Sequence, residues 1–320
     1  MSHLNVVRRS LSVLVVAGLA ASAGAQTAPQ APPLTMKQVK PNVWVGLGGA
    51  GGNSTVIIGQ TSVIVVDAKQ TEAGAKALLA EIAKITPKPV KAVIETHSDG
   101  DHVNGLVAFP PDIRIVAHED SKAEQQAAVR SGAPGAPPAD RLPTEIVGYY
   151  AMGQGMGMEE FKPLNIDGVA LELYHWAPAH TGADVAVYLP AAKIIAVGDI
   201  IMTNRADDNP VIHFEKRGGT LGWIVTVKAL LRMDVETYIT GHGDLATKAD
   251  LQRKLDATTA RRDKIVAMVK EGKTLDQIKA ALPDAPAPGA TPGASPVARP
   301  GAGKTFVETV VAELARQNPV

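Results

Sequence analysis

Residues 95–105 hold a dense group of side chains that commonly bind metal ions. Four of them fall within six residues, directly after an apolar run that ends at Ile94: His97, Asp99, Asp101 and His102. A loop that opens at the end of a strand can turn several side chains toward one point, and imidazoles and carboxylates are ordinary metal ligands. Asp99-Gly100 is also a favourable turn pair, so a solvated turn is the alternative. We interpret the stretch as a metal site.

Three more histidines and aspartates stand beside glycine where predicted strands begin or end. They are His180 in the sequence Pro-Ala-His-Thr-Gly, Asp199 after Gly198, and His242 between two glycines. Loops at strand ends supply the active centres of many α/β scaffolds. We therefore expect these three positions to converge with the 95–105 loop on one site.

Other polar residues near these loops have two interpretations each. Asp67 ends a predicted strand and Thr96 precedes His97, so both either orient metal ligands from behind or have structural roles. His175 and His213 are candidates for the pocket lining, with a partly buried packing role as the alternative for His175. His118 follows a predicted strand and is expected to be structural.

The predicted elements place the candidate residues at strand ends. Strands over 54–58 and 62–66 form a hairpin that stops at Asp67, and apolar spacing predicts a helix over 72–85 before the strand at 90–94. Later strands at 169–173, 185–189, 193–197 and 238–240 precede a helical region from residue 246. The glycines of 46–52 match a dinucleotide fingerprint, but β-branched residues follow where a helix is required. A flexible hairpin flap is the favoured interpretation of 46–52.

Composition excludes several classes of function. Lysine plus arginine (32) equals aspartate plus glutamate (32), so no charge excess favours nucleic acid as a partner. The chain has no cysteine, which excludes disulfides, thiolate ligands and a cysteine nucleophile. Any metal is therefore held by nitrogen and oxygen atoms, and a small-molecule substrate is the expected partner. The oligomeric state is left open.

Both ends of the chain carry segments that we separate from the main domain. Arg8-Arg9, an apolar run and a small-residue site at Ala25/Gln26 predict a signal peptide over 1–25, hence a periplasmic or secreted protein. The adjacent arginines also allow a twin-arginine route, and the apolar run is too short for a stable membrane span. A linker over 26–35, a main domain over 36–250 and a helical extension over 251–320 follow. The extension contains a Pro/Ala-rich linker at 283–300.

Taken in order, the motifs resemble those of the metallo-β-lactamase superfamily over roughly residues 36–250. The series is a strand pair ending in Asp67, the H-x-x-x-D-H loop, His180-Thr-Gly, Gly198-Asp199 and Gly-His242-Gly. The resemblance implies an α+β, αββα sandwich with two divalent metal ions, most simply zinc. It assigns His97 and His180 to a first ion, Asp101, His102 and His242 to a second, and Asp199 to a bridge between them. It also implies that Asp101 orients the attacking hydroxide.

Two positions depart from common patterns in the superfamily. The usual loop has a histidine where Asp99 stands, and a carboxylate there is a harder donor that favours iron or manganese or weakens the first site. Asp199 resembles the glyoxalase II, lactonase and phosphodiesterase branches, because true metallo-β-lactamases have cysteine or serine at that position.

The sequence therefore predicts an exported metal-dependent hydrolase. A metal-activated hydroxide would cleave a small ester, thioester, lactone or lactam. The alternatives are an iron-dependent redox enzyme of the same fold, motivated by Asp99, and a binding protein whose catalysis Asp99 has impaired.

Overall fold

The computed structural model describes residues 32–133, 136–147, 160–205, 207–284 and 303–317. The predicted signal peptide (1–25), most of the linker after it and most of the 283–300 linker lie outside these ranges. Among the helices of the described ranges, none combines the length and apolar character needed to cross a bilayer.

Seven strands form the first sheet, in chain order. They are β1 (Thr35–Lys40), β2 (Val43–Leu47), β3 (Ser54–Ile58), β4 (Val63–Val66), β5 (Val90–Ile94), β6 (Arg114–His118) and β7 (Glu145–Val147). The first four strands are antiparallel, whereas β4 to β7 run parallel. Three helices belong to this half: α1 (Glu72–Ile85), α2 (Gly100–Val103) and α3 (Glu119–Ser131). The carboxyl ends of β4 to β7 therefore lie at one edge of the sheet.

Five strands form the second sheet, in the order β12-β11-β10-β9-β8. They are β8 (Glu160–Ile166), β9 (Val169–His175), β10 (Ala186–Leu189), β11 (Ile194–Met202) and β12 (Thr237–His242). Strands β11 and β12 are parallel, and the other pairs are antiparallel. Helix α4 (Thr220–Arg232) connects β11 to β12. Helices α5 (Lys248–Lys270), α6 (Leu275–Ala281) and α7 (Phe306–Gln317) follow.

Alternating side chains divide the apolar core into layers. In β4, Ile64 and Val66 pack with residues of the second sheet, whereas Val63 and Val65 pack with α1. In β11, Ile194 faces the first sheet and Ile195 packs with residues of α4 and α5. Because successive residues of a strand point to opposite faces, both sheets are covered on both sides. The predicted αββα sandwich is confirmed.

Two boundaries differ from the sequence prediction. Strand β1 begins at Thr35, inside the predicted linker, and α5 continues without a break through residue 250. Leu251 and Leu255 of α5 lie in the core with Trp223 of α4, so the start of the predicted extension belongs to the main fold. A separate cluster of Ile265, Ile278, Phe306, Val307 and Val310 packs α5, α6 and α7 together.

Candidate metal centre

The site lies where strands of both sheets end. Asp67 and the loop with His97 follow β4 and β5, while Asp199 and His242 lie near the ends of β11 and β12. His180 comes from the loop between β9 and β10. Strand β11 is longer than predicted, so Asp199 lies within it rather than at its end. Parallel neighbours in each sheet, β4 with β5 and β11 with β12, thus bring these polar residues to a common edge.

A first cluster contains His97, Asp99 and His180. The Nε2 atom of His180 is 3.1 Å from Asp99 Oδ2, and that of His97 is 3.5 Å from the same oxygen. All three residues are buried. Ligands bonded at about 2.0–2.2 Å to one tetrahedral ion lie roughly 3.3–3.6 Å apart, so this spacing suits a shared cation.

A second cluster contains Asp101, His102 and His242. The Nε2 atom of His242 is 3.0 Å from Asp101 Oδ2, and that of His102 is 3.8 Å from it. His102 has no exposed surface, whereas His242 and Asp101 are partly open to solvent. The second cluster therefore forms the more accessible half of the site.

Asp199 lies between the two clusters. Its Oδ1 atom is 3.3 Å from His102 Nε2 and 3.5 Å from His242 Nε2, and its Oδ2 atom is 3.8 Å from His180 Nε2. A Cβ at Gly241 would be only 1.8 Å from Asp199 Oδ1. Only glycine at residue 241 therefore leaves room for this carboxylate between the clusters.

Several buried polar atoms at the centre lack a hydrogen-bond partner within the described chain. They are His97 Nε2, His102 Nε2 and Asp199 Oδ1. An unpaired buried polar atom costs about 1–3 kcal/mol, so native structures rarely leave one without a ligand. Nitrogen and carboxylate donors around a common space fit divalent zinc, iron or manganese. The residues present therefore fit the two ions that the sequence predicts.

Asp67 and Thr96 fix the orientation of two histidines. Asp67 Oδ1 accepts from Thr96 N at 2.8 Å, and its Oδ2 accepts from Thr96 Oγ1 and His102 Nδ1, each at 2.8 Å. Because the Thr96 hydroxyl donates to Asp67, it accepts from Nδ1 of His97 at 2.9 Å. In the neutral form of each ring, which binds metal, Nδ1 therefore carries the proton and the Nε2 lone pair points into the site.

In the metal-free centre, the carboxylates stabilise protonated histidines, and the histidines stabilise ionised carboxylates. Burial lowers the pKa of His180, but Asp99 and Asp199 raise it to about 9. Burial also opposes protonation of His102, yet the carboxylates of Asp199 and Asp67 hold its pKa well above the ordinary value. Conversely, burial raises the pKa of Asp199, and the surrounding histidines hold it well below its usual range. The metal-free centre is therefore a network of imidazoliums and carboxylates, from which a cation must displace protons.

Lys216 contacts the unusual carboxylate of the first cluster. Its Nζ atom is 2.5 Å from Asp99 Oδ1 and 2.9 Å from Ser98 Oγ. His213 approaches the other oxygen, with Nδ1 at 3.0 Å from Asp99 Oδ2. Sequence reasoning missed Lys216, because a lysine in a loop 117 residues from Asp99 carries no signal of its partner.

The remaining predicted positions divide between pocket and core. The ring of His175 stacks on that of His118, with 4.7 Å between the ring centroids. The Nδ1 atom of His175 is 2.8 Å from the carbonyl oxygen of Asp184. His175 therefore packs away from the two clusters. His118 accepts from the backbone of Asp120 and caps α3, in agreement with the predicted structural role.

The 46–52 segment is anchored rather than being the flexible flap that we predicted. Lys69 is fully buried, and its Nζ donates to the carbonyl oxygens of Gly46, Gly48 and Gly52 at 3.0, 2.9 and 2.7 Å. Gly52 also donates to the carbonyl of Asp101 at 2.9 Å. The loop is therefore tied to the metal-binding segment, a contact that the sequence did not predict.

An open cavity of about 950 Å³ lies above the site. It exposes Asp99, Asp101, His213 and His242 among the candidate residues. Its outer wall consists of the loop at 48–51 and polar side chains that include Gln70, Asn204 and Asp244. A cavity of this size accommodates a small organic molecule.

Comparisons with known proteins agree with the fold. The model of the metallo-beta-lactamase superfamily matches residues 47–242, more than half of the chain. The chain is 27% identical over 66% of its length to the 2,4-dinitroanisole O-demethylase subunit alpha of Nocardioides sp. (strain JS1661). It is 23% identical over 70% of its length to a metallo-beta-lactamase type 2 of Bacillus sp. (strain 170) and covers 81% of that protein.

Among solved structures, the stereoselective inverting sec-alkylsulfatase from Pseudomonas sp. superposes with a TM-score of 0.60 at 18% identity, over 79% of this chain. The chain spans 58% of the demethylase subunit and 46% of the sulfatase. The family model spans all the strand-end loops of the site, from the loop after β4 to His242. The chain belongs to the metallo-β-lactamase superfamily.

Proposed function

We propose that the protein is a metal-dependent hydrolase that cleaves a small ester, thioester, lactone or lactam. One observation carries the proposal: two clusters of nitrogen and carboxylate donors flank Asp199, with unpaired atoms between them, and Asp99, Asp101 and His242 of these clusters line an open cavity. The superfamily relatives named for β-lactamase, sulfatase and demethylase activities support a hydrolytic reaction without selecting a substrate.

The proposal assigns the residues to two ions. His97, Asp99 and His180 would hold the first, Asp101, His102 and His242 the second, and Asp199 would contact both. When bound, two such cations polarise the bond to be cleaved and bring the pKa of water toward neutrality. The cluster spacing and the burial of the histidines support this assignment.

Asp101 has the position of a residue that handles the proton of the attacking water. Its side chain is 30% exposed to the cavity, and the hydrogen bond from His242 and the charge of His102 outweigh burial and lower the pKa of its carboxyl group. An ionised carboxylate at the cavity floor accepts a hydrogen bond from water and so orients it. Asp101 therefore contributes to both metal binding and catalysis in this proposal.

Metal analysis and turnover test the proposal together. Full-length protein, purified without chelators, should contain about two divalent ions per chain, and it should hydrolyse members of a panel of neutral esters, thioesters, lactones and lactams. Asp101→Asn should abolish most turnover. A chain that binds no divalent ion, or that binds two and hydrolyses nothing in the panel, would contradict the proposed activity.

We also propose export to the periplasm or beyond, on the signal-like pattern of residues 1–25. Expression of the full chain in a Gram-negative host should give a periplasmic protein that begins near Gln26. Protein that stays in the cytoplasm with residues 1–25 attached would exclude export by this segment.

An iron-dependent redox reaction is the second candidate, favoured by the carboxylate of Asp99 in the first cluster. Carboxylate oxygen is a harder donor than imidazole and suits iron or manganese. Protein that retains iron and consumes oxygen with a reductant, without hydrolysing the panel, would support this candidate over the hydrolase.

A further inference from the structure

The loop over 211–218 is attached to His180 by several hydrogen bonds. His180 Nδ1 lies 2.9 Å from the carbonyl oxygen of Val211, and the backbone N–H of His213 donates to the carbonyl of His180 at 2.8 Å. The N–H of Gly182 donates to the carbonyl of Lys216 at 2.7 Å. This loop therefore has a fixed position relative to a residue of the first cluster.

His213 directs a ring nitrogen at that cluster. Its Nδ1 atom is 3.0 Å from Asp99 Oδ2, buried, and without a hydrogen bond of acceptable geometry within the described chain. Its ring lies 4.5 Å from that of His180, between centroids. Among the described residues, the only other carboxylate within 4 Å of this nitrogen is that of Glu215, at 3.9 Å, which is beyond hydrogen-bonding distance.

Three imidazoles consequently surround one oxygen of Asp99. The nitrogen atoms of His213, His180 and His97 lie 3.0, 3.1 and 3.5 Å from Oδ2. The other oxygen, Oδ1, is held by the ammonium group of Lys216 at 2.5 Å. The two oxygens of this carboxylate thus have different environments: Oδ1 is paired with the ammonium group of Lys216, and Oδ2 faces three histidines.

We propose that His213 is a ligand of the first metal ion and that the first position is built from three imidazoles and Oδ2 of Asp99. His213 supplies an imidazole in the place where the superfamily pattern has a histidine at residue 99. Lys216 neutralises the charge that Asp99 adds, so the first position keeps the charge of a three-histidine site. The inference rests on the proposed metal-dependent function.

A different role for His213 is hydrogen-bond donation to Asp99 without metal contact. The two roles differ in what a substitution does to metal binding. Loss of a partner outside the coordination shell weakens binding by about 10–100-fold, whereas loss of a ligand should remove the ion from its position at ordinary concentrations. Metal stoichiometry therefore separates them without reference to turnover.

The experiment titrates zinc, and separately cobalt(II), into metal-free full-length protein against a chromophoric chelator. It compares wild type, His213→Ala and the control His175→Ala, which removes a histidine that packs on His118 away from the clusters. Thermal melting of each metal-free protein verifies folding. We expect two ions in wild type and in the control, and one tightly bound ion in His213→Ala. Millimolar imidazole should restore the second ion to His213→Ala by filling the vacated space.

Each result has a defined meaning. A folded His213→Ala protein that binds two ions within 100-fold of the wild-type affinity would overturn the ligand role of His213 and leave the hydrolase proposal intact. A wild-type chain that binds fewer than two ions would contradict the two-ion centre, and with it this inference. If His213→Ala does not fold, His213→Leu is used, and retention of both ions in that variant overturns the inference.

Discussion

Asp67→Asn is the substitution that best tests how the fold prepares the metal ligands. The carboxylate of Asp67 accepts three hydrogen bonds, from the N–H and hydroxyl of Thr96 and from Nδ1 of His102. Asparagine has nearly the same shape but only one acceptor oxygen. Its NH₂ group must therefore face either the Thr96 N–H or the pair of donors at the other oxygen.

The favoured arrangement keeps the Thr96 N–H bond and turns the NH₂ group toward His102. His102 then accepts at Nδ1 and carries its proton on Nε2, the atom that faces the second cluster. The altered tautomer has no lone pair for the ion. We expect the affinity for the second ion to fall at least 10–100-fold, or about 1.4–2.7 kcal/mol.

The same change weakens the metal-free protein. A hydrogen bond to a charged group contributes about 1.5–3 kcal/mol, and a buried donor left unpaired costs a similar amount. We expect a loss of about 2–4 kcal/mol in the free energy of unfolding. The midpoint of thermal unfolding should fall by roughly 2–4 °C for each kcal/mol in a domain of this size.

Metal titration and thermal melting of the metal-free protein measure these two effects separately. Asp167→Asn is the matched control, because the carboxylate of Asp167 accepts four hydrogen bonds from Thr61 and Ser62 in a turn that does not contribute to either cluster. The control should leave metal affinity unchanged. Wild-type affinity for both ions in Asp67→Asn, with only a lower melting temperature, would refute the role of Asp67 in setting the tautomer of His102.

Three further predictions concern pH, the anchored loop and Gly198 of β11. Since the pKa of His180 is raised from 6.5 to about 9, proton release should make zinc affinity increase with pH up to about 9, by at most tenfold per unit for each proton. The metal-free protein should lose stability over the same interval, because the folded state binds this proton more tightly than the unfolded state. Titrations and melts between pH 6 and pH 9.5 measure both trends. Lys69→Met should lower stability by about 3–5 kcal/mol in denaturant unfolding and raise KM more than it lowers kcat, because three loop carbonyls lose their buried ammonium partner. An unchanged KM would contradict the anchoring role. Gly198→Ala should cost about 1–3 kcal/mol of stability and reduce metal content, because residue 198 has φ +51° and a Cβ there would lie 2.5 Å from Thr96 Oγ1.

Local patterns in the sequence predicted the helices and buried strands well. The apolar spacing of 72–85 gave both ends of α1, where Thr71 caps the first turn. The hairpin before Asp67 was also predicted, because two runs rich in β-branched residues are separated by a turn that begins at Gly59. Strand β1 was missed, since its residues Thr-Met-Lys-Gln-Val-Lys, none of which is buried, lack a clear apolar alternation. Strand β8 was missed for a related reason: it contains Pro163, which usually argues against a strand.

The sequence was less informative about charged residues that are buried. Lys69 and Lys216 resemble ordinary surface lysines in the printed chain. Lys69 is buried because the carbonyls of a loop about twenty residues away point toward it, and Lys216 is partly buried because its partner Asp99 lies on another loop. Partners that are distant in sequence leave no local pattern. Motif spacing therefore predicted the candidate metal ligands. It did not predict the two lysines whose ammonium groups adjust the charge and shape of the centre.

The carboxylate at residue 99 illustrates why one motif position is a poor guide to the chemistry of this site. Asp99 is only 8% exposed, so an unpaired negative charge there would carry a large desolvation cost. Lys216 neutralises that charge, and the same loop brings His213 to the opposite oxygen. A histidine at residue 99 would remove the carboxylate partner of Lys216. The ammonium group of Lys216 would then lie beside the bound metal ion without a negative charge between them. The donor set of the first position is thus determined jointly by the loops after β5 and β11, and a single exchange at residue 99 should weaken the site rather than restore a more common one.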